Sequence, residues 1–226
     1  MLSIRARTFE EELKFAIGVR KLCREYNILF ISDEVRQGAG KTGKFLSCEW
    51  MGIENKPDMV AMGKSIAGGA YPASYILGNN EVMTLVKPYE TVSTFASTPM
   101  AVAATWATLH IYDEENLLER ALQVETTWKE ATRTWEYPFI KYITSRGCDI
   151  TIMIDEGVSS VTARRVARLA YQKGLLTYGR AGRMRIGLAL TITDRELHEG
   201  IRILKETFDE IESYGDIPGS TYDVDT

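Results

Sequence analysis

The sequence predicts an α/β fold, on three observations. The run Ile28-Leu29-Phe30-Ile31 is continuously apolar and leads into Asp33 and Glu34. A run without alternation is expected of a strand buried on both faces of a mostly parallel sheet. A helical period precedes it, and short apolar segments broken by glycine follow it. Helix, strand, loop and strand in this order indicate an α/β layer.

The elements follow in order. Thr8-Phe9-Glu10-Glu11 is a capping-box pattern, in which two side chains satisfy backbone N–H groups at a helix start. The helix it opens carries Phe15, Val19, Leu22 and Tyr26 on one face, the face expected to meet the core. After the first strand, residues 38–43 read as loop. Pro57-Asp58 opens a second strand at 59–62, Gly68-Gly69 breaks the chain, and residues 73–77 make a third. Residues 88–99 form a polar loop, and Pro99, a favoured first-turn residue, starts a helix to about Tyr112. Residues 114–135 read as a long charged helix. Two strands, 140–144 and 149–154, flank the turn Arg146-Gly147. Residues 160–173 are helical, with Gly174 as the stop. Residues 184–190 read as a strand. Thr193-Asp194-Arg195-Glu196 is a second capping box, followed by a stripe of Leu197, Ile201, Leu204, Phe208 and Ile211 on one helical face. The expected organisation is an α/β piece over 1–113, a small α+β domain over 114–215 and a polar tail over 216–226.

Composition removes several function classes. Hydrophobic content of 45% with 26% charged residues is that of an ordinary globular chain. A net charge of −4 argues against nucleic-acid and anionic-membrane partners. No apolar run approaches the roughly 20 residues that span a bilayer, and the first residues are too charged for a secretory signal. Cys23, Cys48 and Cys148 are scattered, as expected of reduced thiols in a cytoplasmic protein. His110 and His198 have no ligand spacing around them, so no metal site is expected.

Two features carry chemistry. Gly38-Ala39-Gly40-Lys41-Thr42 looks like the end of a phosphate-binding loop, but the glycine that motif needs at position 35 is Val. It is read as a glycine-rich surface loop. The second feature is a pair. Asp33 ends one apolar segment, where α/β sheets place ligand contacts, and Lys64 follows another, just before Gly68-Gly69. A carboxylate beside a pyridine nitrogen keeps that nitrogen protonated. An amine desolvated by apolar walls can condense with an aldehyde and then move a proton. The pair therefore suits an aldehyde cofactor with a pyridine ring; on the residues alone, a buried salt bridge or two unrelated charges remain open.

Asp33-Glu34-Val35-Arg36-Gln37-Gly38, Lys41-Thr42-Gly43-Lys44, Pro57-Asp58, Gly63-Lys64-Ser65 and Gly68-Gly69 occur in one order. Together they resemble the core of the class III pyridoxal-phosphate aminotransferases, of fold type I. Tyr71-Pro72-Ala73-Ser74, Val82-Met83-Thr84-Leu85-Val86-Lys87-Pro88 and Ser93-Thr94-Phe95 resemble the ornithine branch more than the acetylornithine one. The likeness runs from about Thr8 to Phe208. It implies pyridoxal 5'-phosphate as cofactor, with Lys64 bonded to its aldehyde, Asp33 on the pyridinium nitrogen and Val35 on a ring face. Thr94 would bind the cofactor phosphate of the neighbouring subunit in a homodimer. Arg185 would hold a substrate carboxylate in a two-pronged guanidinium contact, with Arg183 and Arg180 as rivals for that register.

The implied reaction moves the δ-amino group of ornithine to 2-oxoglutarate. Another class III substrate, such as acetylornithine or 4-aminobutyrate, and a catalytically inactive fragment are the alternatives. The sequence departs from the family at Arg36, where the family has a Gln that contacts the phenolic oxygen. It departs again at Phe95-Ala96-Ser97-Thr98-Pro99, where the family has two glycines. The resemblance also implies an N-terminally truncated chain, with the first part of the large domain outside it and an apolar strand edge left exposed.

Overall fold

The computed structural model of the chain describes residues 8–90, 96 and 98–219. They form two compact units, Met1–Ala121 and Leu122–Thr226. The first opens on helix α1, Phe9–Glu25. Its cap is the reciprocal one read from the sequence: Thr8 Oγ1 accepts from the Glu11 N–H at 3.1 Å, and Glu11 Oε2 accepts from the Thr8 N–H at 3.2 Å. Strands β1 (Ile31–Asp33), β2 (Met59–Met62) and β3 (Tyr75–Gly78) form one sheet in that order. β1 and β2 run parallel, and β3 is antiparallel to β2. Short 3-10 turns, Ser47–Met51 and Ile53–Asn55, lie between the first two strands, and a third, Lys64–Ala67, follows β2. Helix α2 is a single turn, Asn80–Met83. Helix α3, Pro99–Glu114, starts at the expected proline, with Thr98 Oγ1 accepting from the Ala101 N–H at 3.2 Å.

The two-face burial that the apolar run suggests is not formed, and the exposed apolar edge that the resemblance implies is. Only Ile31–Asp33 is strand, and Ile28, Leu29 and Ile31 are each more than half exposed. β1 is also the edge of its sheet, and these apolar side chains are left uncovered by the described residues. The anticipated core face of α1 is likewise open, with Phe15, Leu22 and Tyr26 exposed. The helix docks through other residues. Phe9 meets Trp50 edge to face at 5.9 Å, and Arg20 is buried against Asp58.

Asp58 is the joint of this unit. Its carboxylate accepts from Arg20 Nη1 at 2.7 Å, from Arg20 Nη2 at 3.0 Å and from the Phe30 N–H at 2.8 Å. The Pro57-Asp58 motif therefore ties helix, first strand and second strand together. Removing the carboxylate strands a buried guanidinium, so Asp58→Ala should cost about 3 kcal/mol in urea unfolding. The Arg20 hydrogen bonds hold the Asp58 carboxyl below its unfolded value of 3.8. A depressed carboxyl adds stability that is present above that value and is lost as pH falls through the folded one. Wild-type melting temperature should thus drop more steeply than that of Asp58→Asn as pH falls below about 4.

The chain divides inside helix α4, Leu117–Thr132. The second unit is a four-stranded antiparallel sheet in the order β4-β5-β7-β6. Its strands are β4 (Ile140–Arg146), β5 (Asp149–Ile154), β6 (Tyr178–Arg180) and β7 (Arg183–Gly187). β5 alternates strictly, with Ile150, Ile152 and Ile154 buried. Helices α5 (Ala163–Gln172) and α6 (Asp194–Glu210) complete the unit. The predicted stripe of α6 is its core face: Leu197, Ile201, Leu204, Phe208 and the capping Ile211 are all buried. Glu125 on α4 accepts from the Gly147 N–H at 2.8 Å and fixes the hairpin turn.

β6, which the sequence pattern did not separate, is set by Gly179. A Cβ there would lie 2.0 Å from the Ala163 carbonyl oxygen, so strand and helix α5 approach backbone to backbone. Gly179→Ala must push them apart and should cost about 3 kcal/mol, measurable by urea unfolding.

Candidate functional site

The carboxyl ends of β1 and β2 lie side by side, with Asp33 paired to Ala61. The Glu34 N–H carries the ladder one residue further, donating to the Ala61 oxygen at 2.8 Å. Asp33 is exposed there, and its Oδ1 accepts from the Val35 N–H at 3.0 Å. Val35 packs beside Gly63: a Cβ on that glycine would touch Val35 Cγ1 at 3.5 Å. The next residue is Lys64. Adjacent parallel strands therefore bring Asp33, Val35 and Lys64 to one edge of the sheet, the place where α/β sheets meet ligands.

Lys64 has a left-handed backbone, with φ of 51°. That conformation is disfavoured for a residue with a side chain. Its amine forms no hydrogen bond or ion pair among the described residues, and the residue is exposed. Among the described residues, no polar contact of the Lys64 side chain offsets that conformation. Gly68 ends the turn with φ of 62°, where a Cβ would come within 2.8 Å of Thr108 Oγ1. The glycines after Lys64 thus let the turn fold back against α3.

Asp33 and Glu34 are adjacent acids, and the structure separates their roles. Glu34 is buried, 1% exposed, and committed to protein donors. Asp33 is the acid left facing outward. Arg36 follows, half-buried, in the loop toward Gly38. Cys48 lies beside Glu34; burial first, and then Glu34, push its thiol up to about 12. It is an inert packing group at neutral pH.

The glycine-rich loop holds no phosphate cradle. Thr42 is buried and accepts from Trp50 Nε1 at 3.2 Å. Residues 41–46 continue as turn and bend into the Ser47–Met51 turn rather than opening an α-helix.

In the second unit Arg185 sits in the middle of β7, opposite Thr151 of β5 and Tyr178 of β6. Met184 and Ile186 on either side of it are buried. Arg185 lines a cavity of about 450 Å³ walled by Leu176, Ile186, Ile192 and Leu197. Arg183 shares its face at the start of the strand, and Arg180 pairs with Arg183. Thr94 lies outside the described residues. Sequence reading did not anticipate the left-handed backbone at Lys64 or the burial of Glu34. The flanking glycines and the doubled acid were the only signals available for them.

Residues 8–208 match the family Aminotransferase class-III. The ornithine aminotransferase of Emericella nidulans is 36% identical over 194 residues, which are 85% of this chain and 42% of that protein. That of Oceanobacillus iheyensis is 35% identical over 189 residues, 83% of this chain and 46% of the relative. Among solved structures, the ornithine aminotransferase of Toxoplasma gondii ME49 superposes with a TM-score of 0.81 at 29% identity, over 89% of this chain and 47% of that one. An acetylornithine aminotransferase from Elizabethkingia anophelis gives 0.77 at 30% identity, over 88% and 49%. The chain spans about half the length of the relatives it matches.

Proposed function

The chain belongs to the class III aminotransferases, and from that premise we propose that it serves an ornithine-type transaminase, moving the δ-amino group of ornithine to 2-oxoglutarate. The observation that carries this is the arrangement of Asp33 and Lys64 at the ends of two adjacent parallel strands, with Lys64 in a left-handed backbone. The cofactor is pyridoxal phosphate. When bound, it supplies an aldehyde and a cationic ring that draws electron density from a carbon losing its proton.

The residues present suit that group. Lys64 offers an uncommitted amine to hold the aldehyde, and the same amine then moves a proton at the substrate carbon. Asp33 keeps a positive charge on the ring nitrogen through its outward carboxylate. Val35 gives an apolar surface for a ring face. Arg36 would meet the phenolic oxygen with a full charge where the family has an amide. Thr94, outside the described residues, would by the resemblance hold the phosphate across a homodimer. By the resemblance, Arg185 would hold the carboxylate of the amino or oxo acid.

In this scheme the first unit is part of the cofactor-binding domain, and the small domain runs to about residue 215 before a polar tail. Ornithine is favoured as donor because the ornithine aminotransferases of several organisms are 32–36% identical to the chain. A cytoplasmic setting is supported by the three cysteines, none of them in a disulfide. No described helix is long and apolar enough to cross a membrane.

The exposed apolar residues at Ile28, Leu29 and Ile31 favour one second reading, a chain that keeps the fold without turnover. Competition settles the choice. Ornithine, acetylornithine and 4-aminobutyrate are each given with pyridoxal phosphate and 2-oxoglutarate, and glutamate formation is followed. Ornithine should give the highest kcat/KM. A faster rate with either rival overturns the donor, and no turnover with any of them favours the silent chain.

A further inference from the structure

We propose that Glu34 is a positioning residue, which locks the rotation of the carboxyl end of β1 so that Asp33 and Val35 are presented on the side of Gly63 and Lys64. This rests on the cofactor reading above and assigns a role to a buried acid which that reading leaves unused.

The geometry is specific. Glu34 Oε1 accepts from Ser32 Oγ at 2.9 Å and from the Cys48 N–H at 2.8 Å. Oε2 accepts from the Ser47 N–H at 2.9 Å and from Ser47 Oγ at 2.6 Å. One carboxyl group thus joins β1 to the start of the Ser47–Met51 turn and closes the loop between them. The Gly38 N–H donates to the Glu34 carbonyl at 2.8 Å, and a Cβ at Gly38 would strike that oxygen at 2.7 Å. The loop is therefore folded tightly over Glu34. Successive side chains of a strand point to opposite faces. Ser32 and Glu34 bond to each other on the buried face, so Asp33 is held on the other, and Val35 follows in the turn where its N–H donates to Asp33 Oδ1 and its side chain lies beside Gly63. Each carboxyl oxygen receives a backbone N–H, so an amide NH2 at either place would set donor against donor.

Glu34→Gln in the full chain tests this. Backbone amide exchange over residues 35–48 should quicken about tenfold to a hundredfold, as expected when buried donors lose their acceptor. Exchange over β5 should stay unchanged. The pH at which the visible band of the pyridoxal-phosphate-loaded chain changes should shift, because Asp33 is no longer fixed. Ser47→Ala removes one donor and keeps the carboxyl, so it should show a smaller quickening at the same amides even if Glu34→Gln fails to fold. Unchanged exchange over 35–48 in both variants overturns the proposal, and so does quickening of all amides together. A wild-type chain that takes up no cofactor defeats the cofactor reading instead, and the exchange data still decide on Glu34.

Discussion

Lys64→Ala is expected to lower ornithine turnover by at least about 10³-fold, because in the proposed scheme one amine both holds the cofactor and moves the proton. The fold should be indifferent to the loss. Lys64 makes no hydrogen bond or ion pair among the described residues. Its left-handed φ of 51° supplies a second arm to the experiment. At such a position glycine is free of the Cβ clash that alanine still suffers. Lys64→Gly should therefore be more stable than Lys64→Ala by about 1 kcal/mol in urea unfolding, while both are equally inactive. A residue that costs stability and whose removal costs only activity is kept for chemistry. If Lys64→Ala unfolds the chain, Lys64 is instead part of the scaffold.

Asp33→Asn should lower kcat by about 10²–10³ with stability changed by less than about 0.5 kcal/mol. The substitution is clean because Asn keeps an oxygen to accept from the Val35 N–H, the one local contact that Asp33 Oδ1 makes. The charge is withdrawn, and the second oxygen becomes an NH2 that cannot accept from a protonated ring nitrogen. Without the carboxylate the ring nitrogen loses the partner that favours its protonated form, and the cofactor becomes a poorer electron acceptor. Steady-state kinetics with ornithine and 2-oxoglutarate, beside a thermal melt of the same preparation, separate the two effects. Equal activity in wild type and variant would move the ring-facing acid elsewhere.

Local rules made much of the fold readable. Capping boxes at Thr8 and Thr193, the proline at 99 and the stripe from Leu197 to Ile211 are each set by residues close in sequence, and each formed as expected. The alternation of β5 did the same for Ile150, Ile152 and Ile154. Burial was less readable, because it depends on which elements are neighbours. Residues 28–31 have the pattern of a doubly covered strand, yet Ile28, Leu29 and Ile31 are exposed at a sheet edge. β6 was missed because three residues, Tyr178–Arg180, give no period to read. It exists because Gly179 lets the backbone touch α5.

The candidate site divides in the same way. That Asp33 and Lys64 follow the carboxyl ends of neighbouring strands was readable from two apolar segments. Which of two adjacent acids faces outward was not, since it is decided by the donors at Ser32, Ser47 and Cys48 that claim Glu34.

The most direct measurement is chemical mapping of the lysines. The purified chain is mixed with pyridoxal phosphate, reduced with borohydride, digested and analysed by mass spectrometry. The account predicts a reduced adduct concentrated on Lys64, with a visible absorption band before reduction that Lys64→Ala abolishes. An adduct spread over exposed lysines such as Lys14, Lys21 and Lys56, with Lys64 unmodified, would contradict it.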